Sequence, residues 1–288
     1  MNEPSIELHI ACTSDLSELA RVLCVRILDD EEHTRYCRFV FEKDKWTFAM
    51  AHALLRCVLS RRSGSGLSPD RWRFGRERFG RPFVLSPALG SQSFNLSHSG
   101  NVAAVGLCSA PCRIGVDIEE VIEAQTLRTT ITNFCSTREL ALLSSIENHA
   151  QFLNAYYRIW TLKESFLKAT GLGIGEHLCE VECDFDPASV RSPPGMADGL
   201  SVSCWQLEEQ QHVMAISVIS PWPISVAPVI HRWTSQQFVD ALDAPVVEIA
   251  VGWDEDDHGR FSSERAFGVA ASKHAVRSCD QGDPHAET

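Results

Sequence analysis

Apolar and polar positions alternate from Arg113 to Glu119, with Ile114, Val116 and Ile118 on one side and Gly115, Asp117 and Glu119 on the other. A two-residue period predicts a β-strand, and it puts both carboxylates on one face, roughly 6.5 to 7 Å apart. From Gln151 to Thr170 the period changes. Phe152, Tyr156, Ile159 and Phe166 recur at helical intervals, and Gly171 stands where a helix cap belongs. On this predicted helix Trp160, Glu164, Leu167 and Lys168 lie on neighbouring rows, so a carboxylate sits one turn from an ammonium.

The same reading gives an opening strand at Ile6 to Ala11, a helix from about Asp15 to Leu28 capped by Ser14 or Asp15, and a helix from Arg35 to Leu59 with Phe48, Ala51, Leu55 and Val58 as its apolar stripe. Ser63 to Pro69 is a turn-rich linker. Phe94 to Ser97 reads as a short strand that delivers Ser97, His98 and Ser99 to a loop closed by Gly100. Ser136 and Glu139 form a capping box for a helix reaching about Ile146. Asp184 to Asp198 reads as a Pro-containing loop, and Gly199 to Ile219 as two strands around a turn at Glu208 to Gln211. Beyond Val226 the pattern fades, apart from a helix at Ser235 to Leu242. An irregular, partly disordered tail is expected over 226–288.

Composition narrows the class. The chain has 288 residues, 44% of them hydrophobic, enough for one large domain or two small ones. It contains no run of 18 apolar residues, and MNEPSIELHI lacks the charge and apolar order of a secretion signal, so the expectation is a cytoplasmic protein without a membrane span. Eleven cysteines, an odd number scattered through apolar segments, read as reduced core residues. The pairs Cys108/Cys112 and Cys179/Cys183 lack the matching second half of a zinc site. The formal charge of −12 is unevenly spread: residues 243–288 hold ten acidic and four basic residues, whereas 35–81 hold twelve basic and four acidic. An acidic protein with one basic block suits a small polyanion better than a long nucleic acid.

An isolated D-x-E on a strand is commonly a solvated face, and a Glu–Lys pair on a helix is commonly a surface pair worth about 0.2 to 0.5 kcal/mol. The surrounding words are more specific. FNLSHSG, then IGVDIE, then WTLKESFLKATGLG resembles the ordered signature of 4′-phosphopantetheinyl transferases of the surfactin-synthetase-activating type, over roughly residues 35 to 220.

The resemblance implies an α+β fold of two similar α/β subdomains related by a pseudo-twofold axis, here 1–110 and 111–225, with the metal site in the second. The dipeptides Trp46-Thr47 and Trp160-Thr161 fall at comparable places in the two halves, and on that overlay Glu164 matches Met50, so only the second half carries the metal carboxylate. It implies Mg²⁺, or Mn²⁺, held by Asp117, Glu119 and Glu164, and coenzyme A held by Arg35, Arg38, Lys45, Arg81, Ser97, His98, Lys163 and Lys168. Glu164, Lys168 and His98 take the catalytic roles, with Glu164 as general base. The partner is the serine of an apo acyl or peptidyl carrier protein, and 3′,5′-ADP is the leaving group. A monomer is expected. Two positions depart from the family pattern: Trp46 stands where relatives carry arginine, and Gly80-Arg81-Pro82 stands where they carry Gly-Lys-Pro. Two other readings share parts of this evidence, a different Mg²⁺-dependent enzyme acting on phosphate esters or nucleotides, and a carrier-binding relative without activity.

Overall fold

The computed structural model describes residues 4–243, except 65, 89, 91, 125, 174–176 and 210. The chain begins with β1 (Ile6–Cys12), α1 (Glu18–Arg26), α2 (Asp30–Arg38) and α3 (Glu42–Ser63). A hairpin of β2 (Arg73–Arg76) and β3 (Pro82–Ser86) leads to β4 (Gln92–Ser99) and β5 (Val102–Ser109). Then come β6 (Arg113–Glu120), α4 (Leu127–Thr130), α5 (Thr137–Ser145) and α6 (His149–Thr170). Two further hairpins follow, β7 (Glu182–Phe185) with β8 (Ala188–Arg191), and β9 (Ser201–Glu209) with β10 (His212–Ser220). The last described elements are β11 (Val229–Trp233) and α7 (Ser235–Leu242).

Two sheets carry the fold, which is mixed α+β as the motifs imply. One has the order β11-β1-β5-β4, with β11 parallel to β1 and the other pairs antiparallel. The other is antiparallel with the order β6-β10-β9. Leu8, Ile10, Ala104, Val116, Ile118 and Ile216 bury together between the sheets. On its other side the first sheet meets α1, α3 and α7 through Val105, Leu107, Leu23, Phe48 and Phe238. The second sheet meets α6 through Val213, Ala215, Ile159, Leu162 and Phe166.

Several boundaries differ from the sequence reading, each for a local reason. The helix expected over Arg35 to Leu59 is two helices, α2 and α3. Asp29 opens α2 earlier through a capping box with Glu32, at 2.9 and 3.0 Å, and Phe39 and Phe41 are extended. The break lets Phe39 pack on Phe48, with ring centroids 5.3 Å apart. α1 starts after Ser17, which accepts from the Ala20 N–H, so neither Ser14 nor Asp15 caps it. β4 runs to Ser99, so Ser97, His98 and Ser99 lie in a strand and not in a loop. The loop expected from Asp184 contains the hairpin of β7 and β8. The tail expected from residue 226 instead supplies β11 to the N-terminal half, and the helix expected at Ser235 to Leu242 is present as α7. Its period was hard to read because β11 is an edge strand with exposed Val229 and Ile230. The remainder of that tail lies outside the described residues.

A buried charge network ties α2 to α3. Arg56 is 1% exposed and lies 2.7 Å from Glu32, whose other oxygen is 2.7 Å from His52 Nδ1. Burial alone would raise the Glu32 pKa, but His52 and Arg56 outweigh it and hold the carboxyl at about 2. Because the folded value lies below the unfolded one, this stabilisation is complete above pH ~4.5 and drains away as pH falls towards 2. Glu32→Gln leaves Arg56 buried beside a neutral partner. We expect it to lower the unfolding free energy at pH 7 by about 3 kcal/mol. It should also flatten the dependence of stability on pH between about 5 and 2, as read by urea denaturation across that range.

Candidate active site

The site lies where β4 meets β6, and these strands are joined by side chains instead of a backbone ladder. Alternate residues of β4 face β6. Ser93 Oγ accepts from the Ile114 N–H at 3.3 Å, Asn95 Oδ1 from the Val116 N–H at 2.9 Å, and Ser99 Oγ from the Glu120 N–H at 3.0 Å. Ser97 Oγ donates to Asp117 Oδ1 at 3.1 Å, and Ser99 Oγ to Glu119 Oε2 at 3.0 Å. The polar half of FNLSHS is thus spent on the seam, while Phe94 enters the N-terminal core and His98 looks the other way.

Over this seam lies α6. A Cβ on Gly115 would stand 1.9 Å from the Ser165 carbonyl oxygen and 2.5 Å from the Ala169 nitrogen, so only glycine admits the helix backbone this close. With Gly115 under Ser165 and Ala169, Asp117 meets Lys168, and Glu119 accepts from Trp160 Nε1 at 3.2 Å. The polar face of β6, which an isolated strand would leave in solvent, is therefore covered. Asp117 is 2% exposed and Glu164 5%.

The three carboxylates share a poorly hydrated place. Burial, and then the neighbouring Asp117, raises Glu119, and the same pair of causes raises Glu164 to about 7. Burial raises Asp117 against the pull of Lys168, whose Nζ is 2.5 Å from Asp117 Oδ1, 3.1 Å from Ser97 Oγ and 4.0 Å from Glu164. Asp117 Oδ2 is buried and has no hydrogen-bond partner among the described residues. Desolvated carboxylates in such a group, one with an oxygen unused, fit a hard cation that takes oxygen ligands.

Beside the seam a cavity of about 340 Å³ opens between α2, α3, the β2–β3 hairpin and β4. Arg35, His52 and His98 line it, together with Arg76 from the hairpin. Arg35 stacks over Phe48 at 5.2 Å. His98 lies on the wall of this cavity. Loss of hydration there, and then His52, Lys168 and Arg35, push its pKa below the ordinary imidazole range, so it is neutral at pH 7. The sequence reading missed His52, which shows only as one histidine on an apolar helix.

Other expected phosphate ligands are engaged elsewhere. Lys163 is fully buried. Its Nζ donates to the carbonyls of Phe134, Leu178 and Val181 at 2.8, 2.7 and 2.5 Å and pairs with Glu139 at 2.7 Å, so it faces away from the cleft. It immediately precedes Glu164, and adjacent helix positions point about 100° apart. Arg81 donates to the carbonyls of Lys168, Phe94 and Ile114 and to Ser93 Oγ, clamping α6, β4 and β6 together. Ser97 faces Asp117 and Lys168. Lys45 pairs with Glu42 at 2.8 Å, and Arg38 is exposed at the end of α2; neither lines the cavity.

Among the described residues, the group of three potential metal ligands whose atoms converge within 4.8 Å is Glu7, His9 and His231, not the triad or the cysteines. That group makes a poor metal site. Trp233 Nε1 donates to His9 Nδ1 at 3.1 Å, which places the imidazole proton on Nε2, facing Glu7 at 3.2 Å. Arg62 also pairs with Glu7, at 3.0 Å.

An α+β fold with clustered carboxylates beside a cavity that carries both arginines and carboxylates suits an enzyme that handles a charged substrate, and comparison with known proteins narrows the class. Residues 113–227 match the family model of the 4′-phosphopantetheinyl transferase superfamily, and residues 17–110 match that of the 4′-phosphopantetheinyl transferase N-terminal region. The chain is 32% identical over 188 residues to the 4′-phosphopantetheinyl transferase HetI of Nostoc sp., covering 63% of this chain and 74% of that one. It is 26% identical over 220 residues to the L-aminoadipate-semialdehyde dehydrogenase-phosphopantetheinyl transferase of Rattus norvegicus, covering 69% and 70%. A crystal structure of a holo-(acyl-carrier-protein) synthase from Bacillus anthracis in complex with CoA (3′,5′-ADP) overlaps 38% of this chain and 95% of its own. The identity there is 19% and the TM-score 0.33, a likeness of part of the chain only. This chain belongs to the 4′-phosphopantetheinyl transferase superfamily, a broader assignment than the surfactin-synthetase-activating type that its motifs resemble.

Replacing Lys163 separates the two roles assigned to it. Lys163→Met leaves Glu139 buried and unpaired, and should cost about 3 to 5 kcal/mol of stability by chemical denaturation. Coenzyme A affinity of the folded protein, measured by calorimetry, should change less than about twofold.

Proposed function

We propose that this transferase moves the 4′-phosphopantetheine of coenzyme A to a serine of an apo acyl or peptidyl carrier protein in a Mg²⁺-dependent reaction that releases 3′,5′-ADP. The observation that carries the metal dependence is the partnerless, buried Asp117 Oδ2 within a cluster of three carboxylates. Asp117, Glu119 and Glu164 would hold Mg²⁺, with Mn²⁺ as a substitute. The ion would neutralise charge on the diphosphate as its anhydride bond breaks. Lys168 adds a cation beside the same diphosphate. Arg35 and His98, on the wall of the adjoining cavity, suit the nucleotide end, where a phosphate beside the imidazole would favour its protonated form.

In the transfer, the serine oxygen forms a bond to the β-phosphorus, and the bond from that phosphorus to the oxygen leaving with 3′,5′-ADP breaks. The serine proton must go to a base. Glu164, raised to about 7 by burial and Asp117, stands near the pKa that suits a base at neutral pH. Beyond this proton transfer, the chain's task is to align the reacting atoms and balance their charge. Among the described residues no helix is long and apolar enough to cross a membrane. We read the protein as a cytoplasmic monomer that takes no nucleic acid.

The test is intact-mass analysis of an apo carrier incubated with coenzyme A, Mg²⁺ and the protein. The carrier serine should gain one phosphopantetheine, and EDTA should abolish the gain. Asp117→Ala and Glu164→Gln should each lower the rate at least about 100-fold with the folded circular-dichroism spectrum retained. Near-normal transfer by both variants would sink the metal assignment. Hydrolysis of coenzyme A without any carrier would favour a phosphate-ester hydrolase instead, and carrier binding without nucleotide binding would favour an inactive relative.

A further inference from the structure

Lys168 stands in a position that a bound metal ion would contest. Its stem rises from the last turn of α6, and its Nζ reaches Asp117 Oδ1 at 2.5 Å, Ser97 Oγ at 3.1 Å and Glu164 Oε2 at 4.0 Å. Two of the three carboxylates therefore already share a cation that belongs to the chain. The partners are unequally fixed. Asp117 is on the central stretch of β6, 3% exposed at its side chain and braced by Ser97, whereas the Lys168 side chain is 22% exposed. Asp117 stays where it is, and Lys168 has a flexible four-carbon stem with room to move.

A divalent cation entering this cluster meets an ammonium within a few ångströms in a poorly hydrated setting, where repulsion between like charges is weakly screened. The ammonium needs another anion before it can leave, because a desolvated charge without a partner is costly. Among the described residues its contacts at the cluster are Asp117, Ser97 and Glu164, so that anion has to come from the ligand. A diphosphate laid against the seam supplies one.

We propose that Lys168 is an exchangeable internal cation. It neutralises Asp117 and Glu164 in the empty cleft and is drawn onto the diphosphate when coenzyme A enters, which frees those carboxylates for the metal. This rests on the reading of Asp117, Glu119 and Glu164 as the metal ligands. Its consequence is that coenzyme A and the divalent cation bind with positive coupling, equal in both directions by linkage. It also explains how the fold accommodates a cluster of buried carboxylates, since the chain's own ammonium offsets part of their charge.

The experiment is Mn²⁺ titration at pH 8, followed by the electron paramagnetic resonance signal of free Mn²⁺. It uses the full chain with and without saturating coenzyme A, corrected for the Mn²⁺–coenzyme A complex. Wild type should bind Mn²⁺ at least about tenfold more tightly with coenzyme A than without. Lys168→Met should bind Mn²⁺ more tightly than wild type in the absence of coenzyme A, and most of the enhancement by coenzyme A should be gone. Lys168→Gln, which keeps a polar head, should behave in the same way and serves if the methionine variant does not fold. Equal Mn²⁺ affinity of wild type and variants without coenzyme A, or an undiminished enhancement in the variants, would overturn the exchange and leave the metal reading standing. Failure of wild type to bind Mn²⁺ even with coenzyme A would instead overturn the metal reading, and the exchange with it.

Discussion

Everything at this site depends on how closely α6 lies on β6, and that approach depends on Gly115. The helix backbone occupies the space that any other side chain there would need. Once Ser165 and Ala169 rest on Gly115, the antiparallel run of helix over strand puts Lys168 above Asp117 and Trp160 above Glu119. The carboxylates are desolvated by the same contact. Their raised pKa values, their appetite for a cation and the hold of Lys168 on Asp117 are thus consequences of one backbone approach.

The seam between β4 and β6 complements it. Side chains of Ser93, Asn95 and Ser99 take the backbone N–H groups of Ile114, Val116 and Glu120, which satisfies donors that a sheet edge inside a protein cannot leave unpaired. Arg81 closes one end of the seam by reaching carbonyls on β4, β6 and α6. A planar guanidinium with several donors spans three elements in a way that an ammonium on a single point does not. Arg81 is thereby a clamp that holds the carboxylate-bearing elements in register.

Much of this was legible in the chain. The alternation in β6 and the helical period of α6 found both elements to within two residues, and the Ser136 capping box was read correctly, because these signals are local. The proximity of Asp117, Glu119, Glu164 and Lys168 came from the ordered motifs, since no spacing within one element brings a strand under a helix. What escaped was nonlocal. Gly115 appears in sequence only as a small residue on a polar face, and its role exists only against Ser165. Lys163 looks like Lys168, but five residues along α6 turn one into a cage of carbonyls and the other into the cleft. β11 was missed because an edge strand with exposed apolar residues carries no alternation, and the break between α2 and α3 because Phe39 is needed against Phe48.

The most direct measurement of the central claim is an anomalous difference map at the manganese edge, from crystals grown with Mn²⁺ and coenzyme A. The account predicts one strong peak bounded by Asp117, Glu119 and Glu164, next to the diphosphate, with the Lys168 ammonium moved off Asp117. A peak at Glu7, His9 and His231 with none at the seam would contradict it, as would bound coenzyme A with no metal among the three carboxylates.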